Sequence, residues 1–110
     1  MNKDRQISKK KKEIEKLFES LPANKKALLD DAFQNCAFMA ITLRELQKDI
    51  TTNGTMIPIQ SGNGFDTVKD NPSVKAYTTM IARFNQTMAM IIPYLPEEVS
   101  KSKLTELLDE

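Results

Sequence analysis

The stretch Asn71–Ile92, NPSVKAYTTMIARFNQTMAMII, decides the fold. Asn71 is a helix-capping residue, and Pro72 suits the first turn, where its missing N–H would have no intrahelical partner. Val74, Tyr77, Ile81, Phe84, Met88 and Ile91 then recur at three- and four-residue steps, which lays them along one stripe of a helix. That stripe must be covered by something else.

Working upstream, Asn24 reads as the cap of a second, longer helix from Lys25 to about Thr51, closed by Asn53 and Gly54. Between Cys36 and Ile41 this helix is apolar nearly all round, so it is expected to be buried on more than one face. Two covers are possible: another subunit, or the Asn71 helix and an earlier helix lying on opposite sides of it within one chain. Phe38, Met39 and Ile41, with Met90 and Ile92 off the Asn71 stripe, are the candidates for a subunit interface. The earlier helix is short. Ile7, Ile14, Leu17, Phe18 and Leu21 mark an amphipathic segment from about Ser8 to Ser20, stopped by Pro22, with residues 1–6 polar and expected to be mobile.

Between the two long helices, TMIPIQ (55–60) is β-prone, and Pro58 confines any strand there to an edge. Gly62 and Gly64 fit a turn, and Phe65, Thr67 and Val68 fit a returning strand. Past the Asn71 helix, Pro93 and Pro96 make a break. Pro96, Glu97 and Glu98 then open a last short helix with Val99, Leu104, Leu107 and Leu108 as its apolar edge, too short to be stable alone in water. The predicted fold class is all-α: an antiparallel long-helix hairpin with a short N-terminal helix, a small irregular or β-hairpin insert and a short C-terminal helix. The organisation is a basic arm and helix (1–22), a hairpin core (23–95) with its insert (54–70), and an acidic tail (96–110).

The 110 residues carry 16 basic and 15 acidic side chains, so net charge alone points to no partner. Its distribution does. The first sixteen residues hold seven cations, Lys3, Arg5, Lys9, Lys10, Lys11, Lys12 and Lys16, against three acids, whereas the last fourteen hold five acids against two lysines. Cations at the start of a helix oppose its dipole at a cost of ~0.3–1 kcal/mol each, which an anionic partner such as DNA phosphate would relieve. The seven cations are therefore the candidate DNA contacts; the plainer alternative is a solvated face.

Histidine is absent and Cys36 is the only cysteine, which excludes a Cys/His zinc site, a Ser-His-Asp triad, a Cys-His dyad and an intramolecular disulfide. The carboxylate pairs Asp30/Asp31 and Glu97/Glu98 are adjacent in sequence, so within a helix they point roughly 100° apart and do not converge. SGNG (61–64) lacks the lysine spacing of a phosphate-binding loop. No enzyme activity, metal or cofactor is expected. No secretory signal or membrane span is visible, so a reducing cytoplasm is the expected compartment.

One further pattern concerns the order of these features. A long apolar helix ends in Thr52-Asn53-Gly54, an irregular segment with Gly62 and Gly64 follows, and Asp70-Asn71-Pro72-Ser73-Val74 opens the next long helix. The exit is Tyr94-Leu95-Pro96, with Ser102-Lys103-Leu104 downstream. In this order, over roughly Ile14 to Leu104, the chain resembles the small terminase subunits of tailed bacteriophages. It departs at the exit, where that family often has a Gly-Leu-Thr-Pro-like run followed by an arginine; here Ser100 and Lys101 follow, so no arginine role carries over. The resemblance implies a non-catalytic, mainly helical subunit in the bacterial host cytoplasm. It would assemble into a ring-like homo-oligomer, bind viral DNA and deliver it to the large terminase subunit, which holds the ATPase and nuclease. The basic start would then face DNA, the two long helices would form the assembly hairpin, and the acidic tail would be a candidate contact for the large subunit. The alternative class is a helical protein-interaction or scaffold module with no nucleic-acid role.

Overall fold

A computed structural model describes residues 2–60, 62 and 66–109. The chain is mostly helical, and the described residues form four α-helices and one two-stranded antiparallel sheet. In order these are α1 (Lys3–Leu17), α2 (Ala23–Asn53), β1 (Met56–Gln60), β2 (Asp66–Asp70), α3 (Pro72–Ile91), a single 3-10 turn (Ile92–Tyr94) and α4 (Lys101–Asp109). Ser61, Asn63, Gly64 and Phe65, on which the expected turn and part of the return strand fall, lie outside the described residues.

Local chemistry sets most of the boundaries. Asn71 caps α3, its Oδ1 accepting from Ser73 N at 3.0 Å, with Pro72 in the first turn. The end of α2 is Gly54, at φ 83°, whose N–H reaches Ile50 O at 2.7 Å. Two expectations need correction. Residues 3–6 are helical rather than mobile, because Asn2 Oδ1 accepts from Arg5 N at 2.8 Å and starts α1 five residues early. At the other end α4 begins at Lys101, not Pro96: Val99 N bonds Pro96 O at 3.0 Å in a turn, and Ser100 Oγ accepts from Lys103 N at 3.2 Å as the cap.

The long helices run side by side in opposite senses. Gln47 Nε2 donates to Tyr77 Oη and Asn71 Nδ2 donates to Asp49 Oδ2, both at 3.0 Å, so the end of α2 meets the start of α3. Across α2 from α3 lies α1, also reversed, with Lys3 beside Glu45 and Lys11 beside Asp30. The core fills this four-helix end. Ile7, Ile14 and Phe18 of α1 and its exit, Phe33, Cys36 and Ala37 of α2, Ile91 of α3, and Leu104 and Leu108 of α4 form one cluster, with the Phe18 and Phe33 rings 4.8 Å apart. Of the α3 stripe only Ile91 is buried; Val74, Tyr77, Ile81, Phe84 and Met88 remain half-buried.

The ribbon projects from the opposite end. The particle measures 63 × 26 × 21 Å with a radius of gyration of 17.9 Å, against about 13 Å for a compact chain of this length. Most of that length is α2, whose 31 residues span ~46 Å at 1.5 Å each. Asn71 N adds a rung by bonding Thr55 O at 2.9 Å. Alternation then makes Ile57/Lys69 and Ile59/Thr67 the hydrogen-bonded pairs, and turns the backbones of Met56, Pro58 and Val68 outward. Pro58 thus removes a donor from the free edge of β1. Among the described residues no helix is long and apolar enough to cross a membrane.

Candidate nucleic-acid interface

Helix α1 divides its cations by face. Successive residues turn by 100°, so Arg5, Lys9, Lys12 and Lys16, at steps of four, three and four, fall within an arc of roughly 60°. All four are exposed, and among the described residues none has an acidic group within ion-pair distance. Lys3, Lys10 and Lys11 lie on the opposite side and are engaged within the chain. Lys3 Nζ is 2.8 Å from Glu45 Oε1 and 5.1 Å from the centre of the Phe38 ring. Lys11 Nζ is 3.0 Å from Asp30 Oδ1 and 3.9 Å from Glu15 Oε1.

Lys10 corrects the sequence expectation most sharply, because a residue in the middle of a lysine run is buried, 7 % exposed. Its ammonium donates to Leu107 O at 2.8 Å and lies 3.4 Å from Glu13 Oε2. Beside it Arg44 Nη2 donates to Leu108 O at 3.3 Å. Leu107 and Leu108 sit in the last turn of α4, where carbonyls have no intrahelical partner and the dipole is negative. Two cations therefore hold the end of α4, while Leu104 and Leu108 anchor it in the core. A surface lysine becomes a buried tether because its apolar stem is covered and its head finds a carbonyl.

The interface candidates divide as well. Phe38 and Met90 are exposed, at 41 % and 53 %, whereas Met39 and Ile41 are buried and Ile92 packs against the core. Ile41 lies on the arc of α2 bounded by Asp30 and Glu45, which α1 covers, and Met39 lies on the side facing α3. Apart from Phe38, the all-round apolar stretch of α2 is thus covered by α1 and α3 within one chain. What stays open is a shallow groove where Phe38 and Met39 meet Ala76, Met80 and Arg83.

A polar joint that the sequence expectations missed ties α2 to the ribbon and to α3. Asn71, 4 % exposed, donates from Nδ2 to Asp49 Oδ2 at 3.0 Å and to Gly54 O at 2.9 Å. Asn53 Nδ2 donates to Asp49 Oδ1 at 2.7 Å. Hydrogen bonds from Ser73, Asn71 and Asn53 lower the Asp49 pKa from its ordinary value, since they favour the charged form. The cap role of Asn71 was readable; its second bond to a residue 22 positions away had no local signal.

Burial pushes the Cys36 thiol up to about 12, so it carries no thiolate near neutrality. Among the described residues no group of three His, Cys, Asp or Glu side chains is placed to hold a metal ion. Comparison of the chain with protein-family models, curated proteins and solved structures gave no match.

Proposed function

We propose that this chain is a non-catalytic DNA-binding and oligomerisation subunit of a phage genome-packaging motor, a small terminase that delivers viral DNA to the large terminase subunit. The observation that carries the DNA-binding part is the unpaired cation stripe Arg5, Lys9, Lys12 and Lys16 on α1. The packaging role rests on the resemblance built around Thr52-Asn53-Gly54 and Asp70-Asn71-Pro72. In this reading the α2/α3 hairpin is the assembly element, with the exposed Phe38 and Met90 as its apolar contacts in a ring-like homo-oligomer. The exposed acids Glu97, Glu98, Glu106 and Asp109 are the candidate contacts for the large subunit.

Replacing Arg5, Lys9, Lys12 and Lys16 together with alanine tests it. Titration of duplex DNA across salt concentrations should show the log–log slope falling by about 0.9 for each phosphate contact removed. Unchanged binding by that variant would remove the stripe from the interface.

A second reading is favoured by the ribbon, where Met56, Ile59 and Val68 are 46 %, 40 % and 64 % exposed. Apolar side chains on a projecting tip suit a protein-interaction or scaffold module with no nucleic-acid role. Lack of DNA retention by the native oligomer at low salt would select it.

A further inference from the structure

We propose that the outer edge of β2 is a docking site for an extended, lysine-bearing segment of another protein, which joins the ribbon as an antiparallel third strand. This goes beyond both readings above and depends on neither the cation stripe nor the α2/α3 hairpin. The two edges of the ribbon are chemically unequal. Pro58 faces out from β1 and offers no N–H there, whereas its cross-strand partner Val68 turns both its N–H and its C=O outward from β2, as does Asp70. Among the described residues, no backbone group outside the ribbon bonds either of them.

Two strands alone are marginal in water. This pair projects from the bundle with Met56 and Val68 exposed on one of its faces and Ile59 on the other. A third strand on β2 uses the outward N–H and C=O groups and lengthens the cross-strand rows. A β-branched residue opposite Val68 continues the Pro58–Val68 row, and a threonine opposite Thr67 continues the Ile59–Thr67 row on the reverse face.

Charge selects the occupant. Lys69 and Asp70 are exposed, and among the described residues neither has an ion-pair partner. An antiparallel strand reading lysine, glutamate, valine, threonine, lysine sets its first lysine against Asp70 and its glutamate against Lys69. Its last lysine then meets position 66, also an aspartate. A second copy does not fit. Pairing two β2 edges about Val68 sets Asp70 against the Asp66 position twice, like charge opposite like. Pairing β2 of one copy with β1 of the next, which would close a ring of ribbons, meets Pro58 and loses a rung.

The test is made on the full chain. An acetylated and amidated peptide, Thr-Lys-Glu-Val-Thr-Lys-Thr, is titrated in while amide exchange is followed by NMR, with Thr-Glu-Lys-Val-Thr-Glu-Thr as its control. The expected result is slowed exchange at the Val68 amide with the first peptide, and binding of the control weaker by roughly tenfold, the opposed pairs having changed sign. Val68→Pro removes the outward donor, leaves the rungs between β1 and β2 in place, and should abolish binding. Asp70→Lys alters no backbone donor and should weaken the first peptide while strengthening the control; it decides the matter should Val68→Pro fail to fold. No slowing at Val68, equal binding of the two peptides, or a folded Val68→Pro variant that still binds would overturn the proposal. So would protection of Val68 that grows with the concentration of the chain alone, since that would give the edge to a second copy.

Discussion

The two faces of α1 carry the same residue type in opposite employment. On one side the ammonium groups of Lys10 and Lys11 lie 2.8 Å and 3.0 Å from oxygens of α4 and α2. On the other, Arg5, Lys9, Lys12 and Lys16 point to solvent, and among the described residues no carboxylate lies within ion-pair reach. Their neighbours in sequence are the same; their helix angle is not. A local charge excess therefore overstates the charge available to a ligand, because part of it is consumed in holding helices together.

That contrast can be broken at several points. The strongest is Leu104, fully buried and the core anchor of α4. Leu104→Ala should destabilise the fold by ~2–5 kcal/mol in denaturant unfolding. If α4 is what keeps the inner face of α1 occupied, amide exchange in α1 should rise along with that in α4. Protection of α1 left unchanged would show that α1 does not depend on α4.

Next come the neighbours Lys9 and Lys10. Lys10→Met removes a charged, part-buried hydrogen bond to the Leu107 carbonyl and should cost ~1–3 kcal/mol, with the DNA salt slope unaltered. Lys9→Met should do the reverse: stability within ~0.5 kcal/mol of the parent and a slope smaller by about 0.9. Equal effects of the two substitutions on either measurement would erase the distinction between the faces.

The smallest effect belongs to the joint at the far end of the molecule. Asp49 has a lowered pKa, held down by Ser73, Asn71 and Asn53, so its contribution to stability is present above about pH 4 and lost as pH falls through the folded-state value. Asp49→Asn should therefore be less stable than the parent at neutral pH, and the difference should close in acid. A gap independent of pH would show that the carboxylate charge plays no part.

How much of this was legible depended on the range of the interaction. Asn71-Pro72 and Asn53-Gly54 fixed helix ends because capping involves residues within a turn of one another. Asn2 carried the same kind of signal for α1, but the polar residues after it read as a mobile arm. The mostly helical class and the hairpin-forming strands around Pro58 were readable from spacing and turn residues. Lys10 was not, since its partner carbonyl lies 97 residues away and carries no side-chain identity. Ile41 and Met39 admitted either a subunit or an intrachain cover, and an apolar pattern cannot distinguish the two. For the candidate site, the sequence supplied seven cations and the structure sorted them.

The tether between Lys10 and Leu107 also bears on how the chain reaches its fold. Closing a loop of about 97 residues costs roughly 4 kcal/mol of chain entropy beyond a constant. The α2–ribbon–α3 unit brings together residues much nearer in sequence, and forming it shortens the loop that remains. During synthesis, α1 emerges well before α4 and cannot complete its inner face until residues 104–108 have been made. Until then Lys10 lacks its carbonyl on α4, whereas Lys3 and Lys11 find Glu45 and Asp30 as soon as α2 has formed.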